Sequence, residues 1–311
     1  MGGEIHQIFG GSNSLGKIRG SITLDVDKDD YCDIFRIGEI YGGGNEAPSQ
    51  SGQINIGCTG TYTSANGGTL ENGYIRTIYG GANAANISSS ITLNITGGKI
   101  DNVFGGNNAD GVISGDVTVN ITGGQLTNVF GENNAGGNVA GKVTVNIDMN
   151  ATDDCDMAST LDYVYGGGKD AAYTPTTPGA YPEVNLIKGV VNHDVFGGGL
   201  GESATVTSNP TVNMRPATKA NFTVLGNIYG GGSAAPVNGS TSLTISNGTI
   251  GTMGSTSPEG GYVFGGGLGQ TAVVSGDTRV QVTDNTDVEK NVYGGGNGGE
   301  VQGDTKVIIG E

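Results

Sequence analysis

Residues 91–106 read ITLNITGGKIDNVFGG, and residues 117–132 read VTVNITGGQLTNVFGE. Each opens on an alternation with an apolar side chain at every second place, the period of a strand buried on one face. Each then turns at Gly-Gly and closes on an aliphatic residue, an aromatic ring and glycine. That closing step occurs ten times, with its ring at Phe9, Tyr41, Tyr79, Phe104, Phe130, Tyr165, Phe196, Tyr229, Phe264 and Tyr293. Ile or Val precedes every ring, and Gly-Gly follows all but Phe130, which is followed by Gly131-Glu132. Between rings lies an alternating strand. Its two inward places are Leu24/Val26, Ile54/Ile56, Leu93/Ile95, Val119/Ile121, Val145/Ile147, Val184/Leu186, Val212/Met214, Leu243/Ile245, Val280/Val282 and Val307/Ile309, all of them apolar.

Self-similarity at this spacing marks a repeat architecture. Intervals of 25 to 38 residues between rings are too long for a hexapeptide winding, and the shortest are too short for a propeller blade. They predict an all-β fold: one domain over 1–311, a right-handed parallel β-helix of about ten coils with roughly three short strands each. The hand follows the general preference of β-crossovers. A corner repeated at every coil accounts for the glycines, which reach positive φ without steric cost. A further inward residue is expected three places before the aliphatic–aromatic step, at Ile5, Ile37, Ile75, Ile100, Leu126, Leu161 and Leu225, with Val191 and Val288 one place off. The step at Phe264 has only Gly260 there.

Composition narrows the function. Glycine supplies 61 of 311 residues and charged residues only 14%. That excludes a helical bundle, because each interior helical Gly costs roughly 1 kcal/mol relative to Ala. The balance of 14 basic to 30 acidic residues gives a net charge of −16. Such a chain repels phosphate backbones and anionic lipid, so no nucleic acid is expected as partner. No apolar run approaches the ~20 residues of a membrane span, so no direct membrane insertion is expected. Cys32, Cys58 and Cys155 lack metal-site spacing. They read as three buried thiols, with one disulfide plus a free thiol as the alternative.

In a stacked architecture equivalent residues form columns. Between the inward pairs the outward column reads Asp25, Asn55, Asn94, Asn120, Asn146, Asn185 and Asn213, which predicts hydrogen bonds from coil to coil. The aromatic column has two readings. If the strand stays extended, the rings face outward and Tyr41, Tyr79, Tyr165, Tyr229 and Tyr293 become a glycan-binding platform. If the chain bends at the glycines, the rings are buried, the reading that the five Phe favour. The larger insertions, 27–36, 59–74, 148–160, 215–224 and 246–260, leave mostly from one corner, which makes that edge the expected interaction face. Two of them are acidic. Asp27, Asp29, Asp30 and Asp33 in the first, with Asp153, Asp154 and Asp156 in the third, are candidate Ca²⁺ ligands. Neither has an EF-hand pattern, so a solvated acidic turn is the reading to beat.

No catalytic constellation stands out. His6 and His193 fall in a variable pair of positions and read as surface histidines, and no nucleophile elbow or P-loop is present. A polysaccharide lyase or glycoside hydrolase remains the minor alternative, needing a carboxylate pair under the 59–74 and 148–160 insertions. The [IV][YF]GGG corner with its TVNI strand resembles the repeats of large bacterial surface proteins, the adhesin-like and autotransporter-passenger-like β-helices. That resemblance is one of repeat style across the whole chain and implies no active site. It implies a secreted or cell-surface, non-enzymatic adhesin or scaffold, whose partner is a host or bacterial surface glycan or protein. Both ends break within the repeat pattern without a cap, so a longer native polypeptide, carrying signal and anchor elsewhere, is expected.

Overall fold

The computed structural model describes residues 3–27, 35–50, 52–59, 73–252, 254 and 260–310. It is an all-β chain of long parallel sheets, the arrangement a β-solenoid has. Among the described residues no helix is long and apolar enough to cross a membrane. One sheet has ten strands and carries the aromatic steps, from Gly3–Phe9 to Val292–Tyr293. The other has eleven and carries the alternating strands, from Ile22–Val26 to Thr305–Ile309. Within each sheet strands pair in the order of the repeats, and equivalent residues are partners: Val103 faces Val129, and Asn94 faces Asn120.

The alternation does what its period dictates. Leu93, Val119, Val145, Val184, Val212 and Leu243 are fully buried in one continuous aliphatic core. The last inward pair is the exception: Val307 and Ile309, on the strand at the edge of the sheet, are 42% and 64% exposed. A third side closes the interior with only one or two paired residues per repeat. Ile87, Ile113, Val139, Tyr173, Val206, Val237 and Val274 form its buried column, linked by parallel bridges and the short pair Val112–Ile113 with Asn138–Val139.

The glycines after each ring serve a purpose other than the expected positive φ. Gly42, Gly80, Gly105 and Gly131 have no positive φ. A Cβ on Gly105 would lie 2.3 Å from the Gly131 carbonyl oxygen, and one on Gly80 would lie 2.3 Å from that of Gly105. These residues are glycine because backbone meets backbone from repeat to repeat. Positive φ is found instead at other corners, such as Gly98 and Gly124.

The inward residue before the later steps also differs from expectation. Leu225 is 37% exposed with Val224 buried beside it, and on the first strand of that sheet Ile5 is 44% exposed. Val191, Val224, Ile250 and Val288 pair in succession, so Ile250 fills the place where Gly260 stood in the sequence reading. The strands Pro182–Val191, Thr241–Ile250 and Thr278–Val288 run on through register shifts or positive-φ residues such as Gly189 and Gly248. The aromatic strands opposite then shrink to two residues, as at Val195–Phe196 and Ile228–Tyr229. That shortening shapes the groove described next.

Candidate ligand-binding groove

The aromatic column is a continuous stack. Ring centroids from Phe9 to Tyr293 lie 4.6–5.3 Å apart with planes within 13° of parallel, and Phe104 stands 4.8 Å from Phe130. It forms a cluster separate from the aliphatic core, as alternation along a strand requires of neighbours such as Ile40 and Tyr41. The rings are nonetheless covered. Tyr41, Tyr79, Tyr165 and Tyr229 are at most 5% exposed, and only Tyr293, at the end of the stack, is open at 43%. Of the two readings of this column, burial, which the five Phe favour, holds for these four tyrosines, and the sugar platform is corrected there because the rings are covered. Their cover includes asparagines from turns two repeats further on: Asn108 Nδ2 donates to the Tyr41 hydroxyl at 3.3 Å, and Asn297 Nδ2 to that of Tyr229 at 3.4 Å. Burial pushes the Tyr79 phenol up to about 12.

The acidic insertions meet in part. Asp27 and Asp154 line one pocket of about 260 Å³ together with Asp25, Asn55, Asn94 and Thr96. Asp153 is buried, and its Oδ1 accepts from the Cys155 and Met157 amides at 2.8 and 3.0 Å. Asp156 is exposed, with φ 58°. Asp29, Asp30 and Asp33 lie outside the described residues, as does Cys32. Among the described residues no group of three acidic, His or Cys side chains is placed to hold a metal ion. Beside this pocket Cys58 and Cys155 form a disulfide, which corrects the expectation of three thiols. Residues 97 apart in sequence gave no signal of proximity, because the 148–160 insertion reaches back along the stack. Asp154 N donates to the Thr96 carbonyl at 3.1 Å.

A larger concavity lies elsewhere, a groove of about 460 Å³. Two columns build it. The first runs His193, Gly226, Gly261 and Lys290, each linked to the next by an amide-to-carbonyl hydrogen bond of 2.8–3.1 Å. His193 and Lys290 are thus three rungs apart, about 14 Å at the usual strand spacing. The two glycines between them leave the trough. The second column runs Tyr163, Asp194, Asn227 and Tyr262, two places before successive rings. At one end the exposed His193 stacks on Tyr163 at 4.7 Å with planes 9° apart. At the other end stand Tyr262, Glu289 and Lys290, while Leu225 and Thr252 line a side.

The floor is fixed in advance by its own hydrogen bonds. Asp194 Oδ1 accepts from the Asn227 amide at 2.7 Å and from Asn227 Nδ2 at 3.1 Å, and Asn227 Oδ1 accepts from the Tyr262 amide at 3.0 Å. Burial raises the Asp194 carboxyl above its ordinary range, partly offset by those two donors. Asp194 keeps a second oxygen that can accept from a ligand. Sequence reasoning missed this site. His193 read as a surface histidine, and the trough depends on side chains that glycine does not have. The signal that existed was the pair of tyrosines breaking an otherwise polar column at 163 and 262. No protein-family model matches the chain, and no curated protein or solved structure does either.

Proposed function

We propose that the chain winds as a right-handed β-solenoid of ten coils and serves as a non-enzymatic, surface-displayed adhesive module, its partner a surface glycan or protein. The observation that carries this reading is the Cys58–Cys155 disulfide. Structural disulfides persist in oxidising compartments and are rare in the cytosol, so the bond favours a secreted or cell-surface location. The repeat style supports it, because the same corner and strand pattern resembles bacterial surface β-helices. Stacked columns favour a scaffold that holds its surface fixed. Hydrolysis is less well supported: the groove's carboxylates, Asp194 and Glu289, sit on rungs three apart, about 14 Å in backbone terms. A glycosidase pair stands roughly 5–9.5 Å apart.

The test is location joined to adhesion. Intact source cells are treated with a non-permeant protease and probed with antibody to the chain, and beads coated with the chain are scored on cells. Loss of the antibody signal with bead attachment is expected. A protein protected inside intact cells, with both cysteines reduced, would overturn the reading.

A further inference from the structure

We infer that the groove between His193 and Lys290 is a binding site for a short neutral oligosaccharide, one sugar face stacking on the His193 ring. This gives the proposed adhesive module a ligand class, and to that extent rests on that reading.

Four observations converge on it. The first is an aromatic platform outside the buried ring ladder. His193 is exposed, backed by Tyr163 at 4.7 Å, so its open face is a flat surface held in place. Sugars present C–H faces to such rings while their hydroxyls point sideways. The second is a row of hydrogen-bonding groups beside the platform. Asn192, Asp194 and Asn227 follow one another along the wall, and two of them are already locked together. A floor ordered before binding loses little freedom on binding.

The third is dimension. Two successive glycine rungs, Gly226 and Gly261, leave a trough about three rungs long, and Tyr262 and Lys290 close its far end. A volume near 460 Å³ falls within the range of small-molecule pockets. The glycines are also irreplaceable there: a Cβ on Gly226 would lie 2.3 Å from the His193 carbonyl oxygen, and Gly261 has φ 87°. The trough is therefore built into the backbone.

The fourth is charge. Asp194 and Glu289 face one lysine, on a chain of net charge −16. Uronic and sialic acids would meet carboxylates in a field of their own sign. Neutral hydroxyls instead donate to Asp194 and accept from Lys290 without a charge conflict.

The experiment is calorimetric titration of the whole chain with short cello-, manno-, xylo- and chito-oligosaccharides, beside oligogalacturonate and hyaluronan fragments. His193→Ala, Tyr163→Ala and Tyr262→Ala follow, each checked for an unchanged circular-dichroism spectrum. Tyr181→Ala, an aromatic outside the groove, is the control. Binding of at least one neutral sugar is expected, weakened about tenfold by each groove variant and unaffected by Tyr181→Ala. The proposal fails if no neutral sugar binds, if the acidic fragments bind better, or if the groove variants bind as the wild type does. Should a variant lose its fold, a chemical-shift map of the wild type decides: perturbations centred away from Tyr163, 192–194, 225–227, 260–262, Glu289 and Lys290 overturn the site. Bead adhesion that survives without sugar binding sinks the groove and leaves the adhesive reading standing. Sugar binding by a protein found only inside cells does the reverse.

Discussion

Glu132 stands where the nine other steps carry their second glycine. Its side chain is fully buried, and the Val139 amide points toward it without closing a hydrogen bond of good geometry. Burial lifts its carboxyl well above the ordinary value of 4.5. The folded protein therefore holds a proton that the unfolded chain has released. The stability this confers is whole below the unfolded pKa and drains away as pH rises toward the folded one. Glu132→Gln keeps the shape and removes the titration. Its melting temperature should match wild type near about pH 4 and exceed it by a margin that widens toward about pH 8. Equal melting curves across that range would mean that the carboxyl finds a partner. The glycine columns give a second residue-scale expectation. Gly105→Ala sets a Cβ 2.3 Å from a backbone oxygen and should cost on the order of 4 kcal/mol, the exceptional end for a point substitution. Gly20→Ala, with nothing within 4 Å, should be near neutral. Denaturant titration of the pair separates steric need from mere glycine richness.

Among the elements, the outward column behaves as a polymer of amides. Asn55 donates to Asp25 at 2.6 Å, and Asn94, Asn120, Asn146 and Asn185 each donate to the rung before at 2.9 Å. Asn120→Ala breaks two of these bonds and leaves the Asn94 acceptor and the Asn146 donor without their partners. A loss of about 1–2 kcal/mol is expected by urea unfolding. This column was legible in the sequence because its period is two and its chemistry repeats. So were the inward pairs and the register of the rings. A third strand per coil was expected, but its residues were not legible, because one apolar residue per repeat, Ile87 or Val206 among turn residues, has no period to read. The burial of Tyr41 and its fellows was ambiguous for a different reason. Alternation correctly places them opposite the aliphatic core, but part of their cover comes from turns two repeats away. Leu225 misled because Val224 beside it is equally apolar, and only the continued strand decides which one turns inward. The groove was hidden most deeply: at 226 and 261 more glycine looked like more corner.

At the scale of the molecule, both sheets run from the first described repeats to the last, and neighbouring repeats touch through the same columns throughout. In such an arrangement stability is approximately a sum over adjacent interfaces. The disulfide is the departure from that locality, since it ties residues 97 positions apart. Closing so long a loop stabilises the folded state by about 2–4 kcal/mol in the usual range. Cys58→Ser with Cys155→Ser should lower the unfolding midpoint accordingly, and a midpoint unmoved by reduction would contradict it. There is a mechanical corollary. Interstrand hydrogen bonds run along the stacking direction, so a pull on the two termini peels one winding after another. The stretch between the cysteines is bypassed by a covalent link and bears no load. In force spectroscopy the oxidised chain should release about 350 Å less contour length than the reduced one, 97 residues at ~3.6 Å each. A molecule pulled in this way would therefore carry an inextensible collar across the repeats between Cys58 and Cys155 and yield elsewhere.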